Sequence, residues 1–214
     1  VRDKAVDKIF AVKVLNQDLV QDKISVKRFE QEAKAASTLN HPGIVTVHDF
    51  GITNRQIAYL VMEWLEGPSL DNIIKQQGPQ PTPRVFDMFL QTTDALAHAH
   101  RKGIIHRDIK PSNIIITRSD RNLDQVKIVD FGIAKVVGED TEQMNLTATG
   151  DVLGSPLFMS PEQCMGGKID LRSDIYSLGC VMYEALCGIP PFKGDNSVQV
   201  IFKHMNEMPP RPTM

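Results

Sequence analysis

Asp108, Lys110 and Asn113 stand within six positions of one another in the stretch Ile104 to Ile116, I-I-H-R-D-I-K-P-S-N-I-I-I. A carboxylate, an ammonium and an amide at that spacing can converge on one point. A positioned base, a cation and a metal ligand are what transfer of a phosphoryl group from a nucleotide to a hydroxyl requires. With His106 and Arg107, and not counting the Ser112 hydroxyl, the charged, imidazole and amide side chains number five in eight positions, which is too polar for the strand that the apolar flanks suggest. The stretch reads as a loop pinned between two short buried strands, where a scaffold can hold chemical groups rigidly. A second point of chemistry closes the apolar run Val126-Lys-Ile-Val-Asp-Phe-Gly132. Asp130 there can bind a metal, and Gly132 permits a sharp turn after it.

H-R-D-I-K-P-S-N followed by D-F-G resembles the eukaryotic-type serine/threonine protein kinase family in its bacterial branch, and Lys110, two residues after the aspartate, is the serine/threonine form of that loop. What the resemblance implies is an α+β fold of two lobes, a small antiparallel sheet with one helix followed by a mainly helical lobe. It implies ATP and Mg²⁺ (or Mn²⁺) as cofactors, with Asp108 as the base, Lys110 as the neutralising cation, and Asn113 and Asp130 as metal ligands. Lys13, in Ile9-Phe-Ala-Val-Lys-Val-Leu15, resembles the lysine of the V-A-I-K strand that grips the α- and β-phosphates, with Ala11 under the adenine. Glu32 is expected to fix Lys13: it borders the inward stripe of Val26, Phe29, Ala33 and Ala36 and fits the family's spacing ahead of His41-Pro-Gly-Ile-Val45, whereas Glu30 reads as a surface charge. Met62, Glu63, Leu65 and Ile115 complete the implied nucleotide contacts, Met62 as gatekeeper and the backbones of Glu63 and Leu65 as the hinge.

The segment 133–149 has no sustained period and carries Thr141, Thr147 and Thr149. Its spacing resembles the activation segment of bacterial family members, so Thr147 and Thr149 are expected to take phosphate, with Arg107 as its receiver. Gly154-Ser-Pro-Leu-Phe-Met-Ser-Pro-Glu162 resembles the end of that segment, with three departures from the usual pattern: Ser155 for threonine, Phe158 for tyrosine and Ser160 for alanine. The hydroxyl survives in Ser155, which could bond Asp108 and Lys110.

The elements that must position these groups are legible in outline. Strands are read at 9–15 and 57–65, and a helix from Ser25, as N-cap, to Leu39. Ser69 caps a short helix, and Thr82-Pro83 opens a long one by N-cap and N1 proline that Gly103 closes. His98 and His100 on that helix read as packing or surface residues. Thr117 to Gln125 reads as a solvent-exposed loop. A helix opening at Asp174 is apolar nearly all round through Leu186, and Asp174 is a costly buried charge unless paired; in the family it holds the backbone of the catalytic loop. Gly188 ends that helix, and an amphipathic piece runs from Ser197 to Met205. The change from strand to helical sequence places the lobes at 1–66 and 67–214.

Hydrophobic residues make up 42% of the 214 and the net charge is −2, which excludes a disordered chain and an electrostatic nucleic-acid binder. Cys164, Cys180 and Cys187 have no C-x-x-C spacing and read as reduced thiols of a cytoplasmic protein. No run reaches the roughly 18 apolar residues of a membrane span, so no membrane contact is expected from this segment, although a longer parent could be anchored. The family places a glycine-rich turn before Val1 and further helices after Met214, so the chain is expected to be the middle of a kinase domain. Expected partners are proteins bearing serine or threonine hydroxyls, and a homodimer in which one copy phosphorylates another is allowed. Two rivals stand beside this reading, a catalytically inactive scaffold of the same fold and a kinase-like enzyme acting on small molecules. Against the first stands the presence of every catalytic side chain that this segment can show, and against the second the Ser-Pro-Glu ending and the long threonine-bearing segment.

Overall fold

The computed structural model describes residues 1–3, 7–14, 23–54, 57–119, 122–131 and 156–212. The N-terminal part is a four-stranded antiparallel sheet in the order β1-β2-β4-β3, formed by β1 (Arg2–Asp3), β2 (Lys8–Val14), β3 (Val47–Ile52) and β4 (Ala58–Glu63). β2 and β4 hold the sheet centre in a register that sets Ala11 against Met62 and Lys13 against Leu60. Helix α1 (Lys23–Ser37) covers one face with the stripe its spacing predicts, and Phe29, Ala33 and Ala36 pack with Val45, Ala58, Leu60 and Met62. α1 begins two residues before Ser25, so that residue lies within the helix and is not its N-cap. β3 was not foreseen: His48, Asp49 and Gly51 break the β-branched pattern, and a bulge falls between Val47 and Asp49.

Past Gly67 the chain becomes mainly helical, with α2 (Leu70–Gln77), α3 (Thr82–Arg101), α4 (Pro161–Cys164), α5 (Leu171–Cys187) and α6 (Ser197–Asn206) beside the hairpin β5 (Ile114–Arg118) and β6 (Asp124–Ile128). A Cβ at Gly67 would stand 2.1 Å from the Ile116 carbonyl oxygen, so only glycine lets the chain cross β5 this closely. Ser69 caps α2 by accepting from Asn72 N. The N-cap of α3 is Pro81, one residue before the Thr82 expected there, and Lys102 with the left-handed Gly103 closes that helix. Asp170, not Asp174, caps α5, by accepting from Arg172 N, and Gly188 ends it in the left-handed conformation.

Three further expectations are corrected. No strand forms at Ile104–His106; the amides of His106 and Arg107 go to a side chain from α5, leaving no ladder to join. Residues 117–125 are not simply a loop: Thr117 pairs with Gln125 and Arg118 with Asp124 in the β5–β6 hairpin. Their polarity is that of a strand pair with a wet face, and Asp124 is held by Arg84 Nε at 2.7 Å. Nor is α5 buried all round, since Ile175 is 49% exposed beside the buried Asp174.

Among the described residues, backbone bonds stitch the sheet part to the helical part at β6. Val45 N donates to Ile128 O and Ile128 N to Gly43 O, while Lys127 Nζ pairs with Glu63 Oε1 at 2.7 Å. Glu63 Oε1 also accepts Thr46 N, and the Lys127 ammonium beside it, together with that amide, offsets the cost of its partial burial and holds the carboxyl below its ordinary range. β6 therefore serves both halves of the molecule.

Candidate active site

The loop between α3 and β5 carries most of the chemistry, and its shape is imposed from outside. Asp174 is 1% exposed, and its carboxylate accepts three bonds: His106 N to Oδ2 and Arg107 N to Oδ1, each at 2.8 Å, and His100 Nε2 to Oδ2 at 2.7 Å. A buried carboxylate needs such donors. Asp174 thus takes the position expected of it, while His100, read from the sequence as packing or surface, is its third partner. Its place in the last turn of α3 gave no signal of that role. Arg107, held in this way, adopts φ +65°, a left-handed conformation that costs a non-glycine residue of order 1–3 kcal/mol and persists only where its surroundings enforce it.

His106 is fully buried and joins the two chemical segments. Nε2 donates to Val129 O at 2.9 Å and Nδ1 accepts Asp108 N at 3.2 Å, a pattern that requires the neutral ring. Its ring lies 4.7 Å from that of Phe131. Burial pushes the imidazole pKa below its ordinary value, as it does for His204, whose Nδ1 meets Tyr176 OH at 2.8 Å. The folded protein therefore binds fewer protons than the unfolded chain below about pH 6.5, so this stability is present above that pH and is lost as pH falls. Glu184, which burial holds above the usual carboxylate range, acts in the opposite sense as pH rises through the region just above its ordinary 4.5. Between pH 7 and 5.5 these two histidines, with His98, whose pKa is likewise lowered by desolvation, should dominate and lower stability by on the order of 1–2 kcal/mol. Denaturation midpoints at constant ionic strength check this; a stability that is flat or rises on acidification would refute it.

Asp108 Oδ2 is met by Lys110 Nζ at 2.8 Å and by Asn113 Nδ2 at 3.2 Å, and Asn113 Nδ2 also donates to Asp108 O at 2.9 Å. Base, cation and amide thus converge as the spacing predicts. Asn113 O accepts Val129 N, so the residue before Asp130 is bonded to Asn113 directly. Asp130 has φ +62° and its Oδ1 meets Lys13 Nζ at 2.7 Å. Lys13 is therefore paired with Asp130 and not with Glu32. Glu32 Oε1 stands instead 3.8 Å from Arg107 NH1, because α1 presents it to the loop and the turned backbone of Asp130 carries its carboxylate to β2. Ala11 and Leu65 border the sheet core, and Met62 is buried within it. Met62, Leu60, Val47, Phe131 and Asp130 line a small apolar cavity between the sheet and the end of β6. Ile115 lies in β5, bridged to Ser69. Thr147, Thr149 and Ser155 lie outside the described residues.

Gln163 was missed. Ser160 and Gln163 form a reciprocal capping box at the start of α4, a pattern that S-P-E-Q signals in the sequence. What the pattern does not signal is that Gln163 Nε2 also donates to Arg107 O at 2.8 Å.

The family model described as the protein kinase domain matches residues 1–212. The chain belongs to the protein kinase family. This kinase chain is 41% identical over 212 residues to the serine/threonine-protein kinase pkn3 of Myxococcus xanthus, covering 99% of the chain and 39% of that protein. It is 42% identical over 215 residues to the serine/threonine-protein kinase PknB of Mycobacterium leprae, covering 99% and 33%. The kinase chain thus spans between a third and two fifths of these relatives' length. Among solved structures, the PknI kinase domain of Mycobacterium tuberculosis matches with a TM-score of 0.68 at 26% identity, over 86% of this chain and 66% of that one. A double mutant of that domain matches with a TM-score of 0.71 at 25% identity, over 94% and 68%. These matches carry the two-lobed kinase fold, and membership of the family implies ATP and a divalent metal ion. Among the described residues no helix of the kinase chain is long and apolar enough to cross a membrane.

The donor set suits a hard cation. Asp130 offers a carboxylate that already attracts the Lys13 ammonium, and Asn113 an amide oxygen opposite its donating nitrogen. Among the described residues no cluster of three His, Cys, Asp or Glu side chains could hold a metal alone. An ion that keeps waters and phosphate oxygens needs only one or two protein oxygens.

Proposed function

We propose that this chain carries the catalytic core of a serine/threonine protein kinase that transfers the γ-phosphoryl group of ATP to protein hydroxyls with Mg²⁺ or Mn²⁺. The observation that carries the reading is the convergence of Lys110 and Asn113 on the Asp108 carboxylate, tied through Val129 to Asp130. The acceptor hydroxyl donates to Asp108, and its oxygen forms a bond to the γ-phosphorus as the bond to the β-γ bridging oxygen breaks. The hydroxyl proton passes to Asp108 and ADP leaves. Lys110, 2.8 Å from Asp108, neutralises charge on the transferring group. Asn113 and Asp130 would hold the metal, which when bound screens the phosphate charges. Lys13 would exchange Asp130 for the nucleotide phosphates, Glu32 would exchange Arg107 for Lys13, and Ala11, Met62, Glu63, Leu65 and Ile115 would surround the base. Division of the lobes after Glu66 fits this reading, because it sets the adenine contacts on the connection.

Arg107 would receive phosphate on Thr147 or Thr149, and Ser155 would bond the catalytic pair. The test is incubation of the full-length protein with Mg-ATP and a generic serine- and threonine-bearing protein. Phosphoserine or phosphothreonine on the acceptor, and phosphate on Thr147 or Thr149 by mass spectrometry, are expected. Transfer to a small molecule alone, or no transfer at all, would overturn the activity; an active protein with both threonines bare would overturn only the regulatory part.

A further inference from the structure

We propose that Gln163 is a positioning residue that sets the direction of the Asp108 carboxylate; the inference rests on the kinase reading above. Its side-chain amide is used at both ends. Oε1 accepts Ser160 N at 3.0 Å and Nε2 donates to Arg107 O at 2.8 Å. This fixes the amide's orientation, since the Ser160 N–H is a donor that must face Oε1 and the Arg107 carbonyl an acceptor that must face Nε2.

The carbonyl it meets matters because it belongs to the peptide that leads into Asp108. Arg107 is left-handed, a conformation its side chain disfavours, so both of its backbone groups need external partners. Asp174 from α5 takes the N–H and Gln163 from α4 takes the C=O. The 107–108 peptide is thereby held at both of its polar groups, its C=O by Gln163 and its N–H by His106 Nδ1, while Asp174 holds the peptide before it. The Asp108 side chain inherits that plane and is then trimmed by Lys110 and Asn113.

Gln163 also ties this peptide to the surface that an acceptor must meet. Asp108, Lys110, Phe158, Met159, Gln163 and Ser177 line one cleft. Ser177 Oγ donates to Phe158 O at 2.6 Å, and α4 follows that turn directly. The wall of the cleft and the backbone of the base are thus joined through one amide.

Three variants of the full-length protein test this. Gln163→Glu keeps an acceptor for Ser160 N and nearly the same shape but has no N–H for Arg107. Gln163→Met loses both bonds. Ser160→Ala loses the hydroxyl that caps Gln163 N and leaves the bond to Arg107. Both Gln163 variants are expected to lower kcat by about 10-fold or more, since small misplacements of a reacting group cost up to about 10²-fold, with KM for ATP within about twofold. Ser160→Ala is expected to keep kcat within about twofold while lowering thermal stability. Hydrogen exchange over residues 104–110 gives a readout independent of turnover: faster exchange is expected in Gln163→Met and unchanged exchange in Ser160→Ala. Unchanged kcat in both Gln163 variants, or kcat and exchange that track thermal stability equally in all three, would overturn the inference. If the wild type transfers no phosphate, the functional reading fails instead, and the exchange data still decide whether Gln163 holds the loop.

Discussion

Replacing Asp108 with Asn in the full-length protein is expected to lower kcat for phosphoryl transfer by about 10²- to 10⁴-fold, the usual contribution of a positioned general base. KM for ATP should stay within about twofold. The amide keeps the shape and one acceptor oxygen, so the acceptor can still dock, but it cannot take the hydroxyl proton. It also removes the charge that holds Lys110 Nζ at 2.8 Å, leaving the ammonium without its carboxylate. Steady-state kinetics with a protein acceptor at saturating ATP checks this. A variant retaining more than a third of wild-type kcat would remove Asp108 from the role of base, and a large rise in KM for ATP with kcat unchanged would place it at the nucleotide instead.

The second large effect is expected at Asp174. Asp174→Ala withdraws the acceptor from two backbone amides and a histidine around a site that is 1% exposed. Each buried donor left unpaired costs about 1–3 kcal/mol, so for three donors a loss of about 3–9 kcal/mol is expected, against a total stability of about 5–15 kcal/mol. Arg107 would also lose one of the two restraints on its left-handed backbone, so whatever folds should have a disordered 106–108 segment and little activity. Asp174→Asn keeps one acceptor oxygen and should cost roughly half as much. Chemical denaturation of both variants beside the wild type measures this. A loss under about 1 kcal/mol for the alanine variant would mean that the loop holds its own shape.

These two residues show why the site was more legible than its wiring. Asp108, Lys110 and Asn113 were readable because chemistry fixes residue types at short spacing, and a loop of six residues leaves little freedom to separate them. Asp174 was readable only through its cost, as a charge in an apolar helix. His100 and Gln163 were not readable: their partners lie 74 and 56 positions away in the chain, and nothing local marks a histidine near a helix end or a capping glutamine as spoken for. The pairing of Lys13 with Asp130 in place of Glu32 was missed for a related reason. Periodicity shows which face of α1 turns inward, but not which of two nearby cations that face meets. In the fold, helices with a strong apolar stripe were placed within two residues. The strand β3 and the hairpin at 117–125 were lost because their polar residues mimic a loop when pairing partners are unknown.

His106 has a consequence of a mechanical kind. Its two nitrogens face opposite ways, one toward the backbone of the base and the other toward the backbone just before Asp130. The spacing between the Asp108 amide and the Val129 carbonyl is therefore spanned by one rigid imidazole ring and two hydrogen bonds of 3.2 and 2.9 Å. The imidazole acts as a feeler gauge left in place after assembly. A displacement of either backbone segment is thus passed to the other through the ring.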